Sequence, residues 1–306
     1  MRIAFLGTPD VAVPTMRALL DAPQHEIVAA VTQPDRARGR GREVTASPVK
    51  ALALEHGLPV LQPASPKEDG FADALRARAP EVLVVVAYGH ILPVAVLEVA
   101  PAINAHFSIL PSYRGAAPVQ RALMDGATET GVSVFLLEPS VDSGPVLRVA
   151  RTPIDANDDA GSLLERLAPI GAQLVLESLD ALVAGERGSL QDPALASPAP
   201  KIKPEEQLID WSQPATVIVN RIRGLSPRPG AYTLLDGKRL GIRRAHPTDA
   251  PADGAHGTAT RDGDTLQVAS GDGTVVLDEV QPEGKRVLPV AEFLRGARIT
   301  APIQLG

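Results

Sequence analysis

Cysteine is absent from the 306-residue chain. Its absence excludes disulfide bonds, thiolate catalysis and any zinc or iron–sulfur site with cysteine ligands. Reactive groups must therefore come from His, Asp, Glu, Ser or Lys side chains. Five of the six histidines show no metal-ligand spacing, so we expect no metal site. These five are His25, His56, His90, His246 and His256.

Long hydrophobic runs are also absent. No segment approaches the roughly 18 uninterrupted apolar residues that a membrane helix needs. The apolar run at residues 3–6 is far too short for a signal peptide. We therefore expect a cytoplasmic protein that has no membrane partner. We also expect a monomer.

The first turn lacks the glycine spacing of a dinucleotide-binding loop. Gly7-Thr8-Pro9-Asp10 follows a predicted strand and precedes a predicted helix, which is where a phosphate-binding loop would lie. Without G-x-G-x-x-G the backbone cannot approach a pyrophosphate closely. This segment therefore predicts a tight strand-to-helix turn.

The length of the chain predicts two domains. Residues 1–188 alternate short apolar runs with segments of helical periodicity, which indicates an α/β fold with a Rossmann-like, mostly parallel sheet. Residues 82–87 are continuously apolar and predict a central strand buried on both faces. The other predicted strands are residues 3–6, 26–31, 102–106, 132–137 and 146–150. The predicted helices are residues 10–20, 48–56 and 160–184, the last as one helix or two.

The second half of the chain has a different pattern. Residues 189–208 lack periodicity and contain Asp192-Pro193 and Ser197-Pro198-Ala199-Pro200, which indicates an extended linker. Residues 209–306 have a short helical segment at 214–224 and then strand-length runs. Three Asp-Gly pairs, at 236–237, 262–263 and 272–273, favour tight hairpin turns. We expect a small C-terminal β-barrel of the OB type.

The strongest local signal is the pair Asn104 and His106. On a strand, alternate side chains leave the same face, so an amide donor would lie beside a titratable imidazole. The strand runs into a loop with Pro111 and Gly115, and ligands of open α/β sheets bind outside the carboxyl ends of strands. An isolated Asn-x-His on a strand can also simply hydrogen-bond a neighbouring loop.

The motif has ordered companions, and with them the sequence resembles the folate-dependent N10-formyltransferases. The signature is an Asn-x-His strand, a Ser-Leu-Leu-Pro-like loop, an aromatic-Arg-Gly turn and a downstream Asp-x-Gly. Here these are Asn104 and His106, Ser108 to Pro111, Tyr113-Arg114-Gly115 and Asp142-Ser143-Gly144. Further matching segments are Gln33-Pro34-Asp35-Arg36, Gly39-Arg40-Gly41, Val86-Ala87-Tyr88-Gly89 and Ile209-Asp210-Trp211.

The resemblance implies a formyl donor, 10-formyltetrahydrofolate, and a role for each motif. Asn104, His106 and Asp142 would be catalytic. The folate would contact the Ser108 loop and the end of the predicted strand at residues 82–87. The contacting residues would be Ser108, Ile109, Leu110, Pro111, Val86 and Tyr88. One segment departs from the family pattern: Glu138-Pro139-Ser140-Val141, which precedes Asp142, so the edge of the pocket is less well defined than the catalytic residues.

Positive charge is concentrated in two segments of a chain whose net charge is −6. Residues 33–50 hold five basic residues against two acidic ones, and residues 211–245 hold seven against one. Arginine clusters in loops are often merely solvated, but interleaved Arg and Gly can also bind a phosphate backbone. The resemblance to members that formylate methionyl initiator tRNA implies tRNA contacts. We assign these to Arg38, Arg40, Arg42, Arg221 and Arg223.

Two alternatives to the tRNA substrate follow from the same residues. A formyltransferase acting on a small amine, glycinamide ribonucleotide or an amino sugar, would share the catalytic residues without needing the basic segments. A non-catalytic RNA-binding relative would not need an intact Asn104, His106 and Asp142.

Overall fold

The computed structural model describes residues 1–38, 43–296 and 302–306. They form two compact units. The first comprises Met1–Pro118, Glu129–Thr152 and Leu164–Pro200, and the second comprises Val119–Thr128, Pro153–Leu163 and Lys201–Gly306. The predicted linker, residues 189–208, is divided between them at Pro200. No helix in the described part of the chain is long and apolar enough to cross a membrane.

The strands of the first unit are β1 (Arg2–Gly7), β2 (Glu26–Val31), β3 (Arg36–Arg38), β4 (Glu43–Thr45), β5 (Val60–Leu61), β6 (Val82–Val86), β7 (Ala102–His106), β8 (Glu129–Leu136) and β9 (Val146–Pro153). Seven of them form one sheet of order β5-β2-β1-β6-β7-β8-β9. Strands β5, β2, β1, β6 and β7 are parallel, and β8 runs antiparallel to β7. A separate antiparallel pair, β3 and β4, follows β2 in the chain. The predicted mostly parallel sheet is confirmed.

Eight α-helices accompany the strands in the described residues. They are α1 (Val13–Asp21), α2 (Pro48–Glu55), α3 (Phe71–Arg76), α4 (Val94–Leu97), α5 (Pro118–Met124), α6 (Ala160–Val183), α7 (Ala215–Leu225) and α8 (Val290–Gly296). Helix α2 starts as predicted: the Ser47 hydroxyl accepts the Lys50 amide at 3.1 Å and Pro48 occupies the first turn. The segment predicted as residues 10–20 starts with a 3₁₀ turn at Asp10–Ala12, and α1 begins only at Val13. Pro14 fits there because the first helical turn needs no backbone donor.

The core of the first unit lies along its central strands. All five residues of β6 are buried, as are Ile3, Ala4, Phe5 and Leu6 of β1. This burial on both faces explains why the predicted central strand is continuously apolar. The parallel strands end together at Gly7, Val31, Val86 and His106, so the loops that follow them meet at one edge of the sheet.

The second unit is a curled antiparallel sheet, a half-barrel of order β10-β11-β14-β13-β12-β16, with β15 paired to β14. Its strands are β10 (Ala231–Leu235), β11 (Lys238–Thr248), β12 (Thr258–Asp262), β13 (Thr265–Ala269), β14 (Thr274–Pro282), β15 (Leu288–Pro289) and β16 (Ile303–Gln304). The three Asp-Gly pairs mark the turns β10–β11, β12–β13 and β13–β14, as predicted, with Asp262 as the last residue of β12. Helix α7 packs on β11 and β14 and contributes Ile218 and Ile222 to the core.

Candidate active site

Asn104, His106 and Asp142 line one cavity of about 470 Å³ in the first unit. Asn104 and His106 leave the same face of β7, as the alternation of a strand requires. Asp142 lies in the loop between β8 and β9. The structure therefore brings together the three residues predicted to be catalytic.

His106 has an oxygen acceptor at each ring nitrogen. Its Nε2 lies 2.8 Å from the Tyr113 carbonyl oxygen, and its Nδ1 lies 3.6 Å from Asp142 Oδ2. The ring edge packs against Phe135, with 6.4 Å between centroids. A neutral imidazole carries one N–H and can satisfy only one of these acceptors, whereas an added proton would face the second. His106 is therefore held by the Tyr113 carbonyl at one nitrogen and faces the Asp142 carboxylate, beyond hydrogen-bond distance, at the other.

Asp142 is fixed by its surroundings. Its φ of +48° lies in the left-handed region, which Asp tolerates better than most residues. Its Oδ2 accepts the Gly115 amide at 2.8 Å, and only 14% of its side chain is exposed. The carboxylate thus points at His106 from a loop whose backbone is locally constrained.

Asn104 is free to meet a ligand. It is half-buried at the cavity wall, and its side-chain amide makes no hydrogen bond to any residue in the described ranges. A planar amide in that position can donate to an oxygen held in the cavity. This property distinguishes Asn104 from the two residues beside it, which are already engaged with the protein.

The cavity wall includes some of the predicted folate contacts and excludes others. Tyr88 lines it, whereas Val86 does not; Val85 occupies the wall because alternate residues of β6 face opposite sides of the sheet. Other apolar lining residues are Leu92, Leu97, Phe107 and Leu137. The sequence reasoning missed Ile91, which lines the cavity although it is exposed. Its only signal is its position, two residues after the Val86-Ala87-Tyr88-Gly89 motif. The segment from Glu138 to Val141, expected at the edge of the pocket, also lines the cavity.

The Ser108 loop packs against β8 and does not line this cavity. Ser133 Oγ accepts the Leu110 amide at 3.0 Å and donates to the Ser108 carbonyl at 2.7 Å. Ser108 Oγ donates to the Ser112 carbonyl at 2.6 Å. These bonds hold the turn that carries Tyr113 to His106. The folate contacts of Ser108, Ile109, Leu110 and Pro111 stay a prediction.

Tyr88 connects the cavity wall to the loop after β2. Its carbonyl accepts Gln33 Nε2 at 2.9 Å. Its hydroxyl is buried and has no hydrogen-bond partner among the described residues, and burial raises the pKa of Tyr88 to about 12. The phenol therefore stays neutral and serves as an apolar part of the wall.

The base of the β3–β4 pair is held by an ion pair that sequence reasoning did not identify. Lys50 Nζ lies 2.5 Å from Asp35 Oδ2 and donates to Gln62 Oε1 at 2.7 Å. Gln62 Nε2 donates to Asp35 Oδ1 at 2.9 Å. Hydrogen bonds from Lys50 and Gln62 lower the pKa of Asp35. Asp35 directly precedes β3 and Lys50 lies in α2. The network therefore connects the two ends of the segment that contains the first basic cluster.

The predicted tRNA contacts have different settings. The backbone of Arg38 lies in β3, and Arg40 and Arg42 lie outside the described residues. Arg221 is half-buried in α7. Arg223, two residues on, donates from Nε to the Asp158 carbonyl at 2.7 Å and from Nη2 to the Asp155 carbonyl at 2.6 Å. Burial lowers the pKa of Arg223. Its guanidinium is thus engaged by the backbone of its own unit.

A metal site is not formed by side chains in the described residues: they contain no group of three or more His, Asp or Glu arranged to hold a metal ion. The polar side chains that line the cavity include the Asn104 amide, the imidazoles of His90 and His106, and the carboxylates of Glu138 and Asp142. Such a set suits proton transfer and the stabilisation of a developing oxyanion.

The chain is similar to known proteins over nearly its whole length. A family model described as formyl transferase matches residues 1–179, and one described as formyl transferase, C-terminal domain, matches residues 201–298. A methionyl-tRNA formyltransferase of Moorella thermoacetica is 46% identical over 97% of this chain and 96% of its own. A methionyl-tRNA formyltransferase of Pelobacter propionicus is 45% identical over 99% of this chain and 96% of its own.

A solved structure shares the fold. HypX from Aquifex aeolicus in complex with tetrahydrofolic acid superposes with a TM-score of 0.64 at 19% identity. The match covers 96% of this chain and 47% of HypX. From the two family models and the full-length relatives together, the chain belongs to the methionyl-tRNA formyltransferase family of formyl transferases.

Proposed function

We propose that this enzyme transfers the formyl group of 10-formyltetrahydrofolate to the α-amine of methionyl initiator tRNA, giving N-formylmethionyl-tRNA for translation initiation. The observation that carries the proposal is identity of 46% with a methionyl-tRNA formyltransferase over 97% of the chain. The convergence of Asn104, His106 and Asp142 on one cavity supports it.

The cavity suits the folate donor. Its volume of about 470 Å³ lies within the roughly 300–1,000 Å³ typical of small-molecule sites. Its apolar walls, with Val85 and Leu92, can take a flat ring system such as the pterin, and Tyr88 extends the same wall. Five further residues are proposed to contact the folate outside this cavity or through their backbone atoms. They are Val86, Ser108, Ile109, Leu110 and Pro111.

Three residues divide the chemistry. The α-amine, whose pKa is about 7.7 to 8.0 in model peptides, attacks the formyl carbon as the neutral base. The carbonyl oxygen becomes an oxyanion, to which the Asn104 amide donates; such a donor contributes on the order of 3 kcal/mol in other enzymes. The bond from the formyl carbon to folate N10 then breaks.

The proton balance assigns the other two residues. The attacking nitrogen loses a proton and N10 gains one, so one proton passes from amine to folate. We assign this proton transfer to His106, whose imidazole lines the cavity beside Asn104 and has Asp142 Oδ2 3.6 Å from its Nδ1. The Asp142 carboxylate stabilises the imidazolium that exists during the transfer. No other reactant is required.

The acceptor is bound through its phosphates. We assign these contacts to Arg38, Arg40, Arg42 and Arg221, whose charges are concentrated in the two basic segments. Arg223 contributes to tRNA binding by holding residues 155–158 with its guanidinium.

The proposed division of labour follows the domains. Residues 1–188 carry catalysis, residues 189–208 join the domains, and residues 209–306 form the tRNA-binding domain. We propose that the enzyme acts as a monomer in the cytoplasm, where translation begins.

Release of tetrahydrofolate, measured against a panel of acceptors, tests the proposal. Charged initiator tRNA, uncharged tRNA, glycinamide ribonucleotide and a nucleotide-linked amino sugar would each be offered with 10-formyltetrahydrofolate. Of these four acceptors, we expect only charged initiator tRNA to give rapid release of tetrahydrofolate. Faster release with a small amine would identify a small-acceptor formyltransferase. Absence of release with every acceptor, combined with tight tRNA binding, would identify a non-catalytic RNA-binding relative.

A further inference from the structure

A segment that follows α6 contacts both loops of the active site. We call residues 189–199 the strap; all of its partners named here lie in the first unit. The Ser189 amide and carbonyl pair with those of Val146 at 2.9 and 2.8 Å. The Ser197 carbonyl accepts the Arg114 amide at 2.8 Å, and the Ala199 amide donates to the Arg114 carbonyl at 2.6 Å. The strap thus joins the Asp142 loop to the Tyr113-Arg114-Gly115 turn.

Gln191 lies between those two loops, and both the nitrogen and the oxygen of its side-chain amide are hydrogen-bonded. Its Nε2 donates to the Asp142 carbonyl at 2.9 Å and to the Gly144 carbonyl at 2.7 Å. Its Oε1 accepts Arg114 Nε at 3.1 Å and Arg114 Nη2 at 2.7 Å. Two donors facing two carbonyls and an acceptor facing a guanidinium fix the amide in one orientation.

The Asp142 backbone needs such support because its conformation is one that few residues adopt. With φ at +48°, the loop can relax to an extended conformation unless its surroundings hold it. Gly144 passes so close to β8 that only glycine fits there, since a Cβ at this position would overlap the Leu136 carbonyl oxygen. The direction of the Asp142 carboxylate, and its 3.6 Å separation from His106 Nδ1, are therefore set by how firmly this loop is held.

We propose that Gln191 is a positioning residue that holds the Asp142 carboxylate against His106, with Arg114 orienting the Gln191 amide. The inference rests on the proposed function, because it assigns a supporting residue to the same site. Gln191 touches neither reacting group. It acts through the backbone of Asp142 and the turn that presents the Gly115 amide to Asp142 Oδ2.

The first test is kinetic. Gln191→Leu keeps the bulk and removes every polar atom, and Gln191→Glu keeps the acceptor toward Arg114 but removes the donors toward the two carbonyls. We expect kcat for formyl transfer to fall about 10- to 100-fold in both variants, as for other displaced catalytic groups. The KM values for folate and methionyl-tRNA should change less than twofold. Leu190→Ala is the matched control, because Leu190 is adjacent in the strap and 86% exposed.

A double-mutant cycle separates positioning from general stability. If Gln191 acts through Asp142, Gln191→Leu causes no further loss of kcat in an Asp142→Asn background, because the group it positions no longer functions. Losses that multiply in the double variant, or a normal kcat in Gln191→Leu, would overturn the proposal.

Amide hydrogen exchange at Gly115 tests the inference without activity. Its N–H is bound by Asp142 Oδ2, so loosening of the Asp142 loop should accelerate its exchange at least about tenfold in Gln191→Leu and leave it unchanged in Leu190→Ala. Unchanged exchange in Gln191→Leu would contradict the inference. Failure of the wild-type enzyme to formylate methionyl-tRNA would instead contradict the proposed function, and the exchange result would still decide the role of Gln191.

Discussion

The residues predicted to be catalytic, in the first unit, and the arginines predicted to bind tRNA in the second come from the same sequence, but their settings in the structure differ. Asn104, His106 and Asp142 converge on one cavity, and Asn104 has its amide free for a ligand. In α7, by contrast, the Arg223 guanidinium donates hydrogen bonds to two backbone carbonyl groups of its own unit.

The difference lies in what each signal specifies. Ordered spacing on a strand determines which face a side chain leaves, and the parallel strands bring their loops to one edge. A count of positive charges determines the local balance but not whether a guanidinium faces solvent or backbone. Motif spacing therefore predicts geometry better than charge does, and the experiments below test both halves of that statement.

The largest effect is expected at the catalytic residues. His106→Ala and Asp142→Ala should each lower kcat by about 10²- to 10⁴-fold, the usual contribution of general acid–base groups. The affinity for tRNA should stay near wild type, because both side chains line the cavity. The measurement is formylation under saturating folate and tRNA. His56→Ala, an exposed histidine of the same unit, is the control. Near-normal turnover in either variant, with chemistry limiting, would remove that residue from the catalytic assignment.

The next effect concerns stability. Arg223→Ala should lower the free energy of unfolding by about 1 to 3 kcal/mol, because it leaves the Asp155 and Asp158 carbonyls without this donor. Arg221→Ala should change stability less, because Arg221, although also half-buried, makes no side-chain hydrogen bond in the described part of the chain. Urea unfolding of both variants measures the difference. Equal midpoints would show that Arg223 is as dispensable to the fold as its neighbour.

A smaller effect tests the phosphate contact assigned to Arg40. Arg40→Ala should reduce the log–log slope of tRNA affinity against salt by about 0.7 to 0.9, the contribution of one neutralised phosphate. Folate affinity should be unchanged. The measurement is a salt titration with the same charged tRNA for wild type and variant. An identical slope would show that Arg40 is solvated and contacts no phosphate. Weakened folate binding would show that Arg40 contacts the folate and that its assignment to tRNA is wrong.

The smallest effect is a pH dependence at His25. Both ring nitrogens are buried without hydrogen-bond partners in the described part of the chain, and burial lowers the pKa of His25. The N-terminal charge lowers it further, and Asp180 partly opposes this. Because the unfolded chain then binds the proton more tightly, stability is complete above about pH 6.5 and declines as the pH falls below it.

Urea midpoints at pH 7.5 and 5.5 measure this contribution. The loss of stability on acidification should be smaller in His25→Gln than in wild type. His56→Gln, at an exposed histidine, should behave as wild type. An equal loss in His25→Gln and wild type would contradict the assignment.

The sequence predicted those parts of the structure that depend on local pattern. Strands β2 and β7 have the predicted bounds, and Ser47 caps α2. The Asp-Gly pairs mark the expected hairpin turns. Asn104 and His106, predicted to be catalytic, leave the same face because they alternate on one strand.

The remaining features depend on contacts between distant segments. A continuously apolar strand has no alternation, so nothing in the sequence could show that Val85 and not Val86 faces the cavity. Gln191 lies in a stretch without periodicity, and its partners are 49 and 77 residues away along the chain. Arg223 was assigned from its charge, and its backbone partners lie 65 and 68 residues away.

The central claim is that the cavity with Asn104, His106 and Asp142 moves a formyl group onto the methionyl amine of a charged tRNA. The most direct test follows an isotopically labelled formyl group through a single turnover. Enzyme loaded with labelled 10-formyltetrahydrofolate is mixed with methionyl initiator tRNA and quenched, and the amino acid is released from the tRNA and examined by mass spectrometry. The account predicts labelled N-formylmethionine in step with tetrahydrofolate. Labelled formate with unmodified methionine would contradict it.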